Sequence, residues 1–180
     1  IRDDIRMRSK ELEEAARAAA EIGAKAAPAD VSSTADIERV VEQAVADTGR
    51  VDIIVNNAGI MPTGHAHEEA DAVTRRQVEI NVLGVIFGTK LALQRMLPRR
   101  AGHIINTASL AGELAVPGLA TYCGTKFAVI GFTEAARQEY RKSGVQLSTV
   151  RPTCTNTELV AGTAGAKGLR NAEPEEIARA

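Results

Sequence analysis

Four times along this sequence a helical stretch closes at a glycine and hands over to a short apolar run. SKELEEAARAAAEI leads through Gly23 to AKAAPADV, and TADIERVVEQAVADT leads through Gly49 to RVDIIVNNAG. A helix over roughly 79–97 stops at Pro98 and passes Gly102 into HIINTAS; the last, from about Thr121 to Ser143-Gly144, gives way to VQLSTVRP. Glycine closes a helix because it takes the left-handed conformation at little cost. The apolar runs that follow read as strands buried on both faces. Helices alternating with such strands predict an α/β chain: a doubly wound parallel sheet in three α/β/α layers, with right-handed crossovers.

With 180 residues, the chain has room for one domain and is expected to form one over 1–180. The pattern opens in a helix without a preceding strand and stops at AEPEEIARA, a helix start, so the domain is expected to be incomplete at both ends. A net charge of −1 with interspersed acids and bases gives no electrostatic reason for a nucleic-acid partner. No apolar run approaches the roughly 20 residues that span a bilayer, and IRDDIRMRSKELEE is charged where a signal peptide is apolar. Two cysteines make neither a disulfide framework nor a metal cluster. The expected setting is cytoplasmic, with no membrane.

In open α/β sheets, ligands bind beyond the carboxyl ends of the strands. Three such ends carry polar residues or glycine: Asp30 after AKAAPA, Asn56-Asn57-Ala58-Gly59 after VDIIV, and Thr107-Ala108-Ser109 after HIIN. Tyr122 and Lys126 come next, at the start of a helix, and residues four apart share a helix face. A phenol titrates near 10, and bringing it near 7 takes roughly 4 kcal/mol of differential stabilisation. A neighbouring ammonium supplies part of that, and a cationic cofactor ring supplies more. The expectation is therefore an acidified Tyr122 that exchanges a proton with a carbonyl oxygen held by Ser109.

Taken together, ADV (29–31), NNAG (56–59), NVLG (81–84), Ser109 and the Tyr122-x-x-x-Lys126 pair resemble the short-chain dehydrogenase/reductase family. The resemblance runs along nearly the whole chain and implies a Rossmann-type sheet that binds NAD or NADP. It implies that Asn81 relays protons, Ser109 orients substrate, Tyr122 acts as general acid/base, and Lys126 binds the nicotinamide ribose while lowering the tyrosine pKa. It places Asp30 and Val31 at adenine, and Asn57, Ala58 and Gly59 along the cofactor. Asn56 would steady the sheet, while Pro152 and Thr157 would lie on the nicotinamide side. The implied reaction interconverts a ketone and a secondary alcohol by hydride transfer, without a metal, and the implied assembly is a homotetramer or dimer through the helices near 79–97 and 121–143.

The sequence also departs from the family. The first strand with its glycine-rich turn, and most of the second, are missing from this chain; Thr153 stands where the family usually has Gly. A nucleotide-binding regulatory protein that kept the fold and lost turnover is the alternative. Asp3 or Asp4 near the second strand's end would favour NAD. ELAVPGLA (113–120) suggests a mostly apolar substrate wall. His65 and His67 sit in a glycine-containing loop with poor spacing for a metal, and Cys123 reads as a packing residue.

Overall fold

The protein is described by a computed structural model over residues 13–156, 159 and 171–179. Its backbone divides into two units, residues 1–30 and 31–180. In the first, helix α1 (13–21) ends in a turn at Gly23, whose φ of 68° is the left-handed closure expected from sequence. The strand expected at AKAAPADV does not form: residues 24–30 carry no ladder. A strand is defined by the neighbour it bonds to, and an apolar run cannot supply that neighbour by itself.

The second unit is a parallel sheet with flanking helices. Helix α2 (Thr34–Thr48) starts at Ser33, whose side chain accepts from the Asp36 N–H, and stops at Gly49 with φ 83°. Strand β1 (Ile53–Asn56) follows, then helix α3 (Asp71–Val78), one π-helical stretch (Glu79–Leu83) and helix α4 (Gly84–Met96). Strand β2 (Gly102–Thr107), helix α5 (Ala120–Glu139), strand β3 (Val145–Val150) and short helix α6 (Pro174–Ala178) complete the order. The helix expected at 79–97 is thus the second part of a longer one that begins at Asp71 and widens by a π stretch where Asn81 sits. Asp71–Arg99 is apolar enough by composition to cross a bilayer, yet half of its most apolar window is buried within the protein. Leu91, Leu93 and Met96 in this stretch pack in the core with Ile104 and Leu147 of the sheet, while Val78 and Leu83 are exposed.

The strands run parallel in the order β1-β2-β3, with Ile54, Ile104 and Leu147 in one row and Asn56, Asn106 and Thr149 in the next. The first row enters the main core with Leu91, Leu93 and Met96 of α4, Val41 of α2 and Ala136 of α5. The alternate residues of β1, Ile53 and Val55, are 59% and 56% exposed, so β1 is covered on one face only among the described residues. This departs from the expectation of burial on both faces. Where apolar packing gives way toward the strand ends, a neutral network replaces it. Asn56 Nδ2 donates to Asn106 Oδ1 (2.8 Å) and to Thr89 Oγ1 (3.3 Å), while Asn106 Nδ2 donates to Thr133 Oγ1 (2.9 Å). Asn56 therefore ties β1 to β2 and to α4, the steadying role expected of it.

Candidate active site

Beyond the strand ends the network reaches ionisable side chains. Asn81, neutral and fully buried on the π stretch, is pinned first. The Ile60 N–H donates to its Oδ1 (2.9 Å), and its Nδ2 donates to the Ile60 carbonyl (2.9 Å) and to Thr125 Oγ1 (3.1 Å). Its carboxamide thus serves the loop after β1 and helix α5, and the wider helical turn turns it toward them; π turns recur at functional sites. Thr125 in turn donates to the Tyr122 carbonyl (2.7 Å). Sequence reasoning passed over Thr125, although its place between Tyr122 and Lys126 was visible.

Ser109 follows β2 and caps the short 3-10 turn Leu110–Gly112, accepting from the Ala111 N–H (3.1 Å). That turn presses on α5. A Cβ on Gly112 would lie 2.7 Å from the Lys126 carbonyl oxygen, so only glycine allows the approach. The Ser109 hydroxyl also donates to the Pro152 carbonyl (3.5 Å), and it stands near enough to the Tyr122 phenol to pull the phenol's pKa downward. Capping and facing the tyrosine are therefore done by one hydroxyl.

Tyr122 and Lys126 occupy the first two turns of α5 and are both buried. Lys126 Nζ donates to the Thr107 carbonyl (2.9 Å) and lies 5.6 Å from the centroid of the tyrosine ring. Burial lowers the lysine pKa from 10.5 to about 8. The protein's own groups do not acidify the phenol. Burial raises it above its ordinary value, the Ser109 hydrogen bond works downward, and the thiols of Cys123 and Cys154 work upward. The physical reason is desolvation: a phenolate loses more by leaving water than the Ser109 hydroxyl restores. Cys123, expected to pack, does so against Ala111 and Tyr122.

The remaining positions separate. Asn57 and Ala58 are exposed at the end of β1. Gly59 lies deeper, where an added Cβ would stand 3.3 Å from Asn81 Oδ1 and 3.6 Å from Lys126 Nζ. Val31 packs against the start of α4, its Cγ2 3.1 Å from where a Cβ on Gly84 would be. The Pro152 carbonyl accepts from the Leu110 N–H (2.9 Å), joining the loop after β3 to the one after β2. Thr153 does not take a positive φ; among the described residues Arg100 is the one non-glycine that does. Asp30 ends the first unit and keeps only its sequence-based expectation. Thr157, Asp3 and Asp4 lie outside the described residues. His65 and His67 stack with centroids 5.9 Å apart, and no group of three metal-ligating side chains occurs among the described residues.

The donor set suits a polyhydroxyl ligand. An ammonium carries three donors and Thr107 takes one, which leaves two for hydroxyl acceptors beside Gly59.

The family model for short chain dehydrogenases matches residues 4–167. The 3beta-hydroxysteroid dehydrogenase 2 of Eggerthella lenta is 37% identical, over 84% of this chain and 64% of its own. An "inactive 2-(S)-hydroxypropyl-CoM dehydrogenase 2" of Xanthobacter autotrophicus is 37% identical, over 92% of this chain and 71% of its own. Among solved structures, the 3-ketoacyl-(acyl-carrier-protein) reductase from Brucella melitensis, complexed with NADH, superposes with a TM-score of 0.87 at 31% identity, covering 94% of this chain and 75% of that one. The chain spans between 54% and 64% of the length of several curated relatives. A parallel sheet, polar strand ends and a match over most of the sequence agree: the chain belongs to the short-chain dehydrogenase family of oxidoreductases.

Proposed function

We propose that the chain carries the reacting centre of an NAD- or NADP-dependent oxidoreductase that interconverts a ketone and a secondary alcohol. The observation that supports this most directly is the Lys126 ammonium 5.6 Å from the Tyr122 ring, both residues buried, with the Ser109 hydroxyl acting on the phenol from the end of β2. In the reductive direction Ser109 holds the substrate oxygen and Tyr122 gives it a proton. Lys126 and the edge formed by Asn57, Ala58 and Gly59 hold the cofactor, joined by Asp30, Val31, Pro152 and Thr157. When bound, the nicotinamide supplies the hydride and adds a positive charge beside the phenol in its oxidised form. Asn81, pinned to Ile60 and Thr125, keeps the floor of the site in place and starts a proton path away from it. Assembly into a dimer or tetramer through α4 and α5 belongs to the same proposal.

Replacement of Tyr122 by Phe tests it. With a panel of ketones that includes a ketosteroid and a 3-ketoacyl thioester, turnover followed by reduced-nicotinamide absorbance falls on the order of a hundredfold to ten-thousandfold. Cofactor binding, measured by calorimetry, is retained. Normal turnover in that variant removes Tyr122 from the mechanism. A second reading, a nucleotide-binding protein of this fold without turnover, is favoured by the likeness to a relative named inactive. Calorimetric cofactor binding together with no redox turnover on any ketone in the unmodified protein would select it.

A further inference from the structure

The loop between β1 and α3 brings a carboxylate to the start of α5. Glu69 Oε1 accepts from Thr74 Oγ1 (2.6 Å) and from Thr121 Oγ1 (2.7 Å), and Oε2 accepts from Gln77 Nε2 (2.8 Å). Thr74 and Gln77 belong to α3, whereas Thr121 is the residue before Tyr122 on α5. A carboxylate accepts only, so three donors converging on it are matched in kind. Gln77 shows how firmly: it is fully buried, its amide nitrogen is committed to Glu69, and its Oε1 has no hydrogen-bond partner. Turning the amide over would set oxygen against oxygen.

Two independent facts make the Thr121 bond more than local packing. Helix α5 has no side-chain cap at Leu119 and no acid in its first turn, so the positive end of a 20-residue helix lacks a negative partner of its own. Glu69 supplies that charge from another element. The same loop is tied again one step away, where the Gly64 N–H donates to the Gly118 carbonyl (3.0 Å). Glu69 also lines an open cavity of about 400 Å³ with Pro62, Gly64 and Val73. Just upstream, Met61 packs on the cluster that contains Tyr122.

We propose that Glu69 is a positioning residue: through Thr121 it fixes the first turn of α5, and with it the Tyr122 phenol, to the loop that walls the cavity. The proposal rests on Tyr122 being the acid/base. The donors hold Glu69 below its ordinary pKa, Thr74 most and Thr121 next, so the tie persists through neutral pH.

Thr121→Val and Thr74→Val each remove one donor to the same oxygen, but only the first releases α5. Both are expected to lower the melting temperature to a similar degree. Only T121V should also reduce kcat, on the order of tenfold, and shift the Tyr122 titration, read by labelled-tyrosine NMR with Y122F to assign the resonance. Loosening the turn admits water to a phenol now raised by burial, so its pKa should fall toward the ordinary value. Thr121→Ser restores both readouts, and Glu69→Gln reproduces the loss if T121V does not fold. Equal kcat and equal titration in T121V and T74V would overturn the proposal. The NMR readout needs no turnover, so a Tyr122→Phe variant that stays active sinks the acid/base reading while the tie through Thr121 is still judged by itself.

Discussion

Two polar clusters lie along the same elements and differ in what they hold. The inner one joins Asn56 of β1, Thr89 of α4, Asn106 of β2 and Thr133 of α5. The outer one draws Gly59 and Ile60 from beyond β1, Asn81 from the π stretch before α4, the Thr107 carbonyl and Ser109 from the end of β2, and Tyr122, Thr125 and Lys126 from α5. Asn106 and Thr107 are adjacent in sequence. Yet the inner cluster is neutral and closed on itself, while the outer one contains a phenol and an ammonium that burial drives toward their neutral forms. Satisfied neutral groups stabilise a fold. Desolvated titratable ones weaken it and leave groups able to exchange protons.

The largest separation is expected from Asn106→Ala against Lys126→Met. The first leaves Asn56, Thr89 and Thr133 short of partners and should lower unfolding free energy by about 3 kcal/mol in denaturant titration, with little change in kcat of the folded enzyme. The second removes a buried ammonium, so stability should stay the same or rise, while turnover drops on the order of a hundredfold or more. The pH dependence follows from the signs. Lys126 titrates lower in the folded state than its ordinary 10.5, so the unfolded chain binds more protons between about 8 and 10.5 and stability rises with pH across that window. Displacement from 10.5 to about 8 corresponds to about 3 kcal/mol. Tyr122, raised above 10.0, holds its proton longer when folded and reverses the trend above that pH. K126M should abolish the rise; a K126M profile that still climbs from pH 8 to 10 would break the comparison.

Two glycines sharpen it at intermediate size. A Cβ on Gly88 would fall 2.1 Å from Asn56 Oδ1, so Gly88→Ala must displace the inner network and should lower stability by about 2 kcal/mol. A Cβ on Gly59 would meet Asn81 and Lys126 at 3.3 and 3.6 Å, contacts that small shifts relieve. Gly59→Ala should therefore leave stability within about 1 kcal/mol and act on cofactor affinity and turnover instead. Calorimetric cofactor titration beside thermal melts reads the difference.

The smallest effects come from two threonines of α5 that make the same bonds. Thr133 donates to the Val129 carbonyl and accepts from Asn106; Thr125 donates to the Tyr122 carbonyl and accepts from Asn81. Each change to Val should lower stability by about 1 kcal/mol. Only Thr125→Val should reduce kcat as well, by a few-fold, because Asn81 loses its hold on α5. Equal kcat in the two variants would show that the outer cluster tolerates the same disorder as the inner one.

Much of this was legible beforehand, for reasons particular residues make plain. Gly23 and Gly49 adopt the positive φ that closes a helix, because that preference is local to the residue. Helix α5 ends at Glu139, short of the expected Ser143-Gly144, and Gly144 takes its positive φ in the turn beyond. Tyr122 and Lys126 share a face because helical spacing puts them there. Thr107 was invisible as a partner of Lys126 because the contact is its carbonyl, which every residue owns. Glu69 was passed over because its partner Thr121 is 52 positions away. The AKAAPADV run misled, since apolar sequence says a segment could join a sheet but not that a neighbour is there to bond it.

By itself the sequence determined the alternation of helices and parallel strands, the helix stops, and the residue types gathered at the strand ends, since all of these follow from short-range sterics and periodicity. Only the tertiary structure decided the protonation balance. Whether Tyr122 is made more or less acidic depends on how much water is excluded around it against how strongly the Ser109 hydroxyl favours the phenolate. Both quantities are set by neighbours distant in the chain, and burial prevailed.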